Sequence, residues 1–308
     1  MRKSSFAIVT IFLIMCASSA TAQVARVFLA GSGSDLNDCT DITTPCRSLQ
    51  GAVDQCPVKG EVIIIASGGF GTATITKSLT VDAAPGVLAF NARTIIVTIA
   101  PTDIVTLRGL TMNGAVFGDG DGVAFTGSGT LNLENCDISG FSTYGVFHGA
   151  GGGNLNLKGC AIHDIQVGIF SSPLPAFSAK LVIANSSFRN TTSVGLLIYA
   201  PATASVTDSQ FANNTKAILA FSNIAAVKGI VSVDNCTISG SSTVALDAFA
   251  TTNGIATIYV ANTSINSNYN TLAITTSTGG VASVVSFGDN SVDNNTTTTL
   301  FSSTVPPT

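Results

Sequence analysis

From about residue 104 almost to the C-terminus, apolar and polar positions follow one recurring pattern: apolar-x-apolar-x-(Asn/Asp/Gly)-small-x-apolar. It reads Leu131-Asn-Leu-Glu-Asn-Cys-Asp-Ile138, Leu155-Asn-Leu-Lys-Gly-Cys-Ala-Ile162 and Leu181-Val-Ile-Ala-Asn-Ser-Ser-Phe188, then Ala204 to Phe211, Val231 to Ile238 and Ile258 to Ile265. The closing apolar residue marks each repeat: Met112, Ile138, Ile162, Phe188, Phe211, Ile238, Ile265 and Val292, in steps of 23 to 27 residues. Alternation of this kind buries one face of a strand, and the repeats carry no helical spacing. A fixed period of this length marks a stacked-repeat architecture. The pattern therefore predicts an all-β solenoid of about nine coils over residues 61–295, with a polar C-terminal tail, 296–308.

Three positions before each marker stand Gly109, Asn135, Gly159, Asn185, Asp208, Asn235, Asn262 and Asp289. Gly, Asn and Asp are the residues that tolerate left-handed backbone angles, so this column predicts one sharp bend per coil. Asn185, Asn235 and Asn262 also begin glycosylation sequons, but the bend accounts for the Gly and Asp members as well. Ahead of the solenoid, residues 23–60 read as an N-terminal loop followed by a short helix. In Cys46–Cys56, Leu49, Ala52, Val53 and Cys56 share one helical face. A stack of coils has open strand edges at its ends, and this helix is placed to cap the first coil.

The order of strand, Asn-type bend, short strand, variable loop and Gly-Ile-x-Ile-like strand resembles the coil of the pectate-lyase-like superfamily of right-handed parallel β-helix proteins. The last strand appears as Gly145-Val-Phe-His, Gly168-Ile-Phe-Ser, Gly195-Leu-Leu-Ile, Ala217-Ile-Leu-Ala and Ala245-Leu-Asp-Ala. The Asp-Cys-Thr…Pro-Cys-Arg-Ser-Leu-Gln-Gly-Ala stretch and Gly69-Phe-Gly…Ile-Thr-Lys-Ser-Leu-Thr-Val81 are similar to a group of secreted bacterial β-helix proteins without assigned activity. The resemblance covers residues 26 to about 295. It implies a right-handed parallel β-helix, in agreement with the usual hand of crossover connections. It also implies that any polysaccharide-cleaving site lies on the outward face of the Gly-x-x-x strands.

Alternation along those strands puts Ala124, Phe147, Phe170, Leu197, Leu219, Asp247 and Ala273 in one outward row. The next outward row holds Thr126, Gly149, Ser172, Tyr199, Phe221, Phe249 and Thr275. A lyase needs a carboxylate cluster and an Arg or Lys base, and a hydrolase needs paired carboxylic acids. In these rows Asp247 is the lone carboxylate, with no Arg or Lys beside it. What the rows offer is an apolar stripe for a polysaccharide or for self-association, with Phe147, Phe170, Tyr199, Leu219, Phe221, Asp247 and Phe249 as candidate binding residues. The loop Ser172 to Phe177 is placed to fold over it.

Other chemistry is thinner. Gly118-Asp-Gly-Asp-Gly122 reads as a Gly-rich turn rather than a Ca²⁺ loop. The adjacent residues of His163-Asp164 cannot readily orient each other, so an exposed polar loop is expected there. His148 aligns with inward positions and reads as a hydrogen-bonded core residue. Carbohydrate platforms usually use Trp or Tyr, and the chain has no Trp and 4 Tyr; Tyr144 and Tyr199 are the two that could stack on sugars, with packing or loop anchoring the favoured role.

Residues 1–22 read as a secretory signal: basic Arg2 and Lys3, apolar Phe6 to Met15, and Ala20-Thr-Ala22 as the cleavage site. Export follows, to a secreted, extracellular or periplasmic location, and no later segment has the length and apolarity of a membrane span. Taking Arg2 and Lys3 from the 13 basic residues leaves 11 against 17 acidic ones, which speaks against nucleic acid as a partner. Only 10% of residues are charged and the mean hydropathy is +0.47, as expected for a chain that buries many strands. An oxidising destination favours a disulfide among Cys39, Cys46 and Cys56, with Cys39–Cys46 the preferred pair and Cys56 the rival partner. Cys136, Cys160 and Cys236 share one repeat position and read as small buried residues, although Cys136 and Cys160 stack closely enough to bridge. No metal site or cofactor is expected. Two functions fit: an exported non-catalytic β-helix scaffold or surface-interaction protein, or a polysaccharide lyase or glycoside hydrolase acting on acidic polysaccharide.

Overall fold

A computed structural model describes residues 25–305; the signal segment lies outside the described residues. The chain winds as a right-handed parallel β-solenoid of about eight full turns. Its sheets hold twelve, ten and nine strands, and every named strand pair is parallel.

The repeat maps directly onto this architecture. Leu131, Leu155 and Leu181 are in register on the twelve-stranded sheet, followed by Ala204, Val231 and Ile258, all pointing inward. The markers Met112, Ile138, Ile162, Phe188, Phe211, Ile238 and Ile265 form one inward row of the ten-stranded sheet, each fully buried. Midway along this row Phe188 and Phe211 stack nearly parallel, with centroids 4.7 Å apart. Burying side chains of this size supplies most of the driving force for stacking the coils.

Bends form where the Asn/Gly column predicts them. Asn135, Asn185, Asp208, Asn235 and Asn262 have φ of 52°, 50°, 50°, 51° and 46°, and Gly109 and Gly159 join them. At the C-terminal end the left-handed residue is Gly288 rather than Asp289, whose carboxylate instead accepts the Asn262 backbone N–H. Amide-to-carboxylate bonds tie neighbouring bends, as from Asn235 Nδ2 to Asp208 Oδ1 at 2.6 Å. A second left-handed column follows the markers by two residues: Gly140, Asp164, Asn190, Asn213, Gly240, Ser267 and Asn294. Apart from Ser267 it uses the same Gly, Asn and Asp residues as the first column.

Between the two bends the cysteine column is a hydrogen-bonding stack of small side chains. Ser186 Oγ accepts the Cys160 N–H, Ser209 Oγ the Ser186 N–H and Thr263 Oγ1 the Cys236 N–H. Cys136, Cys160 and Cys236 are buried free thiols there, as the small-residue reading expects.

At the N-terminus Cys39 and Cys46 are bridged, and Cys56 is free and buried. The helix spans Leu49–Gln55 and buries Leu49, Ala52 and Val53. Ser48 caps it by accepting the Gly51 N–H. Asp35 in turn accepts from Arg47 N, Ser48 N and Ser48 Oγ. Burial alone would raise the Asp35 carboxyl, but these bonds outweigh it and hold it below the usual range.

Two stretches are more regular than their composition suggests. Arg26–Leu29, inside the stretch expected as loop and helix, forms the first strand of the twelve-stranded sheet, paired with Gly60–Ile64. Ser303–Thr304, in the expected tail, pairs with Val285 and Ser286 at the other end of that sheet. In both places an adjacent strand edge recruits residues whose own pattern is too short to announce a strand.

An outward aromatic stripe as candidate functional site

On the nine-stranded sheet the inward row runs Phe125, His148, Ser171, Ile198, Ala220 and Ala248. The rows on the opposite face are those that alternation predicts. Phe147, Phe170, Leu197 and Leu219 follow one another in register, with Asp247 next. Tyr199, Phe221 and Phe249 form the row beside them. The seven apolar and aromatic residues are half-buried, so this is an outward surface and not a misassigned core.

The rings touch in sequence. Phe147 lies 6.0 Å from Phe170, Phe170 5.2 Å from Tyr199, Tyr199 4.4 Å from Phe221, and Phe221 5.1 Å from Phe249. Edge and tilted contacts prevail, the arrangement that ring quadrupoles favour. Tyr144 completes the ladder, 5.6 Å from Phe147 and 5.1 Å from Phe170. Burial first, then nearby Asp121 and Tyr199, push the Tyr144 phenol above its ordinary range. The Ser172 to Phe177 loop does not seal the stripe, since its own Leu174 and Phe177 are exposed at 54% and 46%.

Asp247 differs from the expectation of an unattended carboxylate. Lys216 Nζ lies 2.7 Å from Asp247 Oδ2, and the Asp247 side chain is only 7% exposed. Strict alternation back from outward Leu219 would turn Lys216 inward. It fails because Ala217 has no partner in the ladder while Lys216 pairs with Val194 and Ile218 with Leu196. The same break at Gly145 brings Tyr144 onto the outward face. The small residue there is demanded by packing: a Cβ on Gly168 would stand 2.4 Å from the Gly195 carbonyl oxygen.

The remaining candidates resolve as follows. His148 is fully buried, stacked 5.0 Å from Phe125; its Nε2–H donates to the Gly152 carbonyl at 2.6 Å, and Ser171 Oγ stands 3.3 Å from Nδ1. Burial lowers its pKa to about 4, against a smaller upward pull from the Gly152 carbonyl. Within Gly118 to Gly122 the two carboxylates do not act together: Asp119 binds Arg93 at 2.9 Å and the Thr94 N–H at 3.0 Å. Burial raises the Asp121 carboxyl.

His163 and Asp164 correct the expectation of an unoriented pair. His163 ends a strand of the ten-stranded sheet and Asp164 takes the left-handed bend after it, with φ of 54°. That bend turns the carboxylate back, so Asp164 Oδ2 lies 2.6 Å from His163 Nδ1. Hydrogen bonds from His163 and then Asn190 hold the Asp164 carboxyl below its usual range. Among the described residues no helix is long and apolar enough to cross a membrane.

Comparison with known proteins supports the architecture. The sequence pattern described as a right handed beta helix region matches residues 64–227. No curated protein matches the chain. Among solved structures, pectate lyase Pel9A is similar over 91% of this chain and 80% of its own, at 13% identity and a TM-score of 0.52. The GH136 lacto-N-biosidase from Eubacterium ramulus is similar over 92% of this chain and 68% of its own, at 10% identity and a TM-score of 0.50. At such identities the likeness speaks to the fold alone. With that sequence pattern running through more than half of its length and its three sheets stacked in parallel register, the chain belongs to the right-handed β-helix family.

Proposed function

We propose that this protein is an exported, non-catalytic β-helix scaffold that acts as a surface-interaction protein through its aromatic stripe. The observation that carries this reading is the unbroken ring ladder from Tyr144 to Phe249 on an outward sheet face. A contiguous apolar patch of that extent on a protein surface marks an interaction site. A row of rings repeating once per coil suits an extended partner, either a polysaccharide chain or a second copy of the rod. On the same face Asp247 is already neutralised by Lys216, and no second carboxylate stands in its row to form a hydrolytic pair.

The reading predicts the behaviour of a triple variant, Phe147→Ser, Phe170→Ser and Leu219→Ser. It should keep the native circular dichroism spectrum and lose either retention on polysaccharide gels or a dimer seen by light scattering. Whichever is lost identifies the partner. A variant that retains every interaction of the parent would remove the stripe from consideration.

One observation favours a second reading, a polysaccharide lyase or glycoside hydrolase. Lys216 and Asp247 form an acid–base pair on the sheet face, in a fold shared with a pectate lyase and a lacto-N-biosidase. Incubation with polygalacturonate and alginate, with and without Ca²⁺, separates the two. The scaffold reading expects no new unsaturated or reducing ends. Their appearance with the parent protein, and disappearance in Asp247→Ala and Lys216→Met, would establish the enzyme instead.

A further inference from the structure

The aromatic stripe is bounded by opposite charges. One row of the nine-stranded sheet runs Asp121, Tyr144, Val167, Val194 and Lys216 in register, so Val167 stands two coils from Asp121 and two from Lys216. Asp121 and Lys216 reach the outward side because the ladder skips Gly122 and Ala217, as it skips Gly145. The half-buried Asp121 carboxyl is raised by burial, and among the described residues no hydrogen bond or cation opposes the rise. Lys216 Nζ gives one of its protons to Asp247 at 2.7 Å, and its side chain stays 36% exposed. An ammonium has three donors, so two remain for another acceptor. The unpaired carboxylate and the spare donors suit each other, yet within one chain they lie four rungs apart, about 19 Å at about 4.8 Å per rung.

Resting on the reading that the stripe is an interaction surface, we propose that its partner is a second copy of this chain, packed face to face and antiparallel about a two-fold axis along the strand Val167–Ser171. That operation keeps each row opposite itself and reverses the order of the coils. Asp121 then faces Lys216 of the second copy, twice in the dimer. In the row of rings Phe170 meets its own copy on the axis, Phe147 meets Leu197, and Ala124 meets Leu219, a small residue opposite a large one.

The chemistry of the middle of the stripe favours this occupant over a glycan. Sugar hydroxyls laid on Phe147, Phe170, Leu197 and Leu219 would find no polar side chain there, and burying them unpaired is costly. A second copy sets apolar surface against apolar surface and leaves the charges at the margin, where opposite signs select partner and register. Five coils at about 4.8 Å and six residues at about 3.3 Å make a face of roughly 24 by 20 Å, so two copies bury on the order of 1,000 Å². That lies at the low end for specific pairs, and the dimer is a weak, reversible one.

The test is sedimentation equilibrium of the mature chain from micromolar to millimolar concentration, where the parent should show a monomer–dimer equilibrium. Asp121→Lys alone sets base against base, and Lys216→Glu alone sets acid against acid. Each should weaken self-association by about tenfold or more, with unchanged circular dichroism. Mixed together, the two variants should form a one-to-one heterodimer, because each facing pair is again of opposite sign. Ser172→Cys, nearly isosteric and on the axis coil, should link two copies through a short bismaleimide. Thr126→Cys should not, since its two copies would stand about 19 Å apart along the rod. This readout leaves Lys216 and Asp247 intact, and it decides the matter if Lys216→Glu does not fold. A parent that stays monomeric at millimolar concentration overturns the proposal, as does a dimer that neither responds to the charge variants nor crosslinks through Ser172→Cys. A monomeric parent retained on polysaccharide gels, where the Phe147→Ser, Phe170→Ser, Leu219→Ser variant is not, removes the second copy and leaves the stripe as an interaction surface. A monomer that nothing retains removes both.

Discussion

Phe188→Ala is expected to lower the unfolding free energy by about 3–5 kcal/mol, the range for removing a fully buried aromatic ring. Phe188 has no exposed surface and stacks on Phe211 at the middle of the marker row. It also lies against the backbone of the next sheet, since a Cβ on Gly168 would stand 3.0 Å from Phe188 Cδ1. Each coil packs only on its neighbours, so a hole at this rung weakens two interfaces at once and cannot be filled from a distance. Urea unfolding followed by circular dichroism measures the change. A loss below about 1 kcal/mol would mean that the rung collapses onto the vacated space, and that the row is far softer than its burial implies. Phe211→Ala should behave alike, and the double variant should lose less than the sum of the two, because the rings are each other's partners.

Acidification should produce the second large effect. His148 is neutral in the fold, with a pKa of about 4, whereas a free histidine titrates near 6.5. Between these values the unfolded chain binds a proton that the folded chain refuses. Stability is therefore fully present above pH 6.5 and is lost as the pH falls toward 4, by roughly 3 kcal/mol across the window. Denaturation midpoints at pH 7 and pH 4.5 should differ accordingly. In a His148→Gln variant the difference should shrink to what the carboxylates contribute. An equal pH dependence in parent and variant would show that His148 becomes protonated inside the fold.

The functional surface was legible to the extent that period two governs it. Alternation from Gly145, Gly168 and Gly195 placed Phe147, Phe170, Leu197 and Leu219 on one face, and the register agrees residue by residue. Tyr144, one of the two tyrosines the sequence offers for stacking on sugars, and Lys216 fall outside the rows that alternation gives, because they sit just before the glycine or alanine where the ladder breaks and the alternation shifts. The Gly/Ala column was visible in the sequence. Its consequence for the residue ahead of it was not, because that depends on how closely the neighbouring coil approaches.

The sequence by itself determined the architecture of this protein. Apolar markers every 23 to 27 residues, with Asn, Asp or Gly three positions earlier, dictate strands, bends and parallel stacking, since each is a local backbone or burial preference repeated many times. It also determined the N-terminal helix, since the spacing of Leu49, Ala52, Val53 and Cys56 puts one apolar face on a short helix. Only the tertiary structure decided which polar groups meet. Lys216 and Asp247 are 31 residues apart, and Asp137 and His163 are 26 apart. Each pair forms because neighbouring coils bring one residue over another, at a distance set by the length of the intervening loop and by the angle of a bend. Repetition encodes the stack, whereas a contact between two particular side chains occurs once and leaves no periodic trace in the chain.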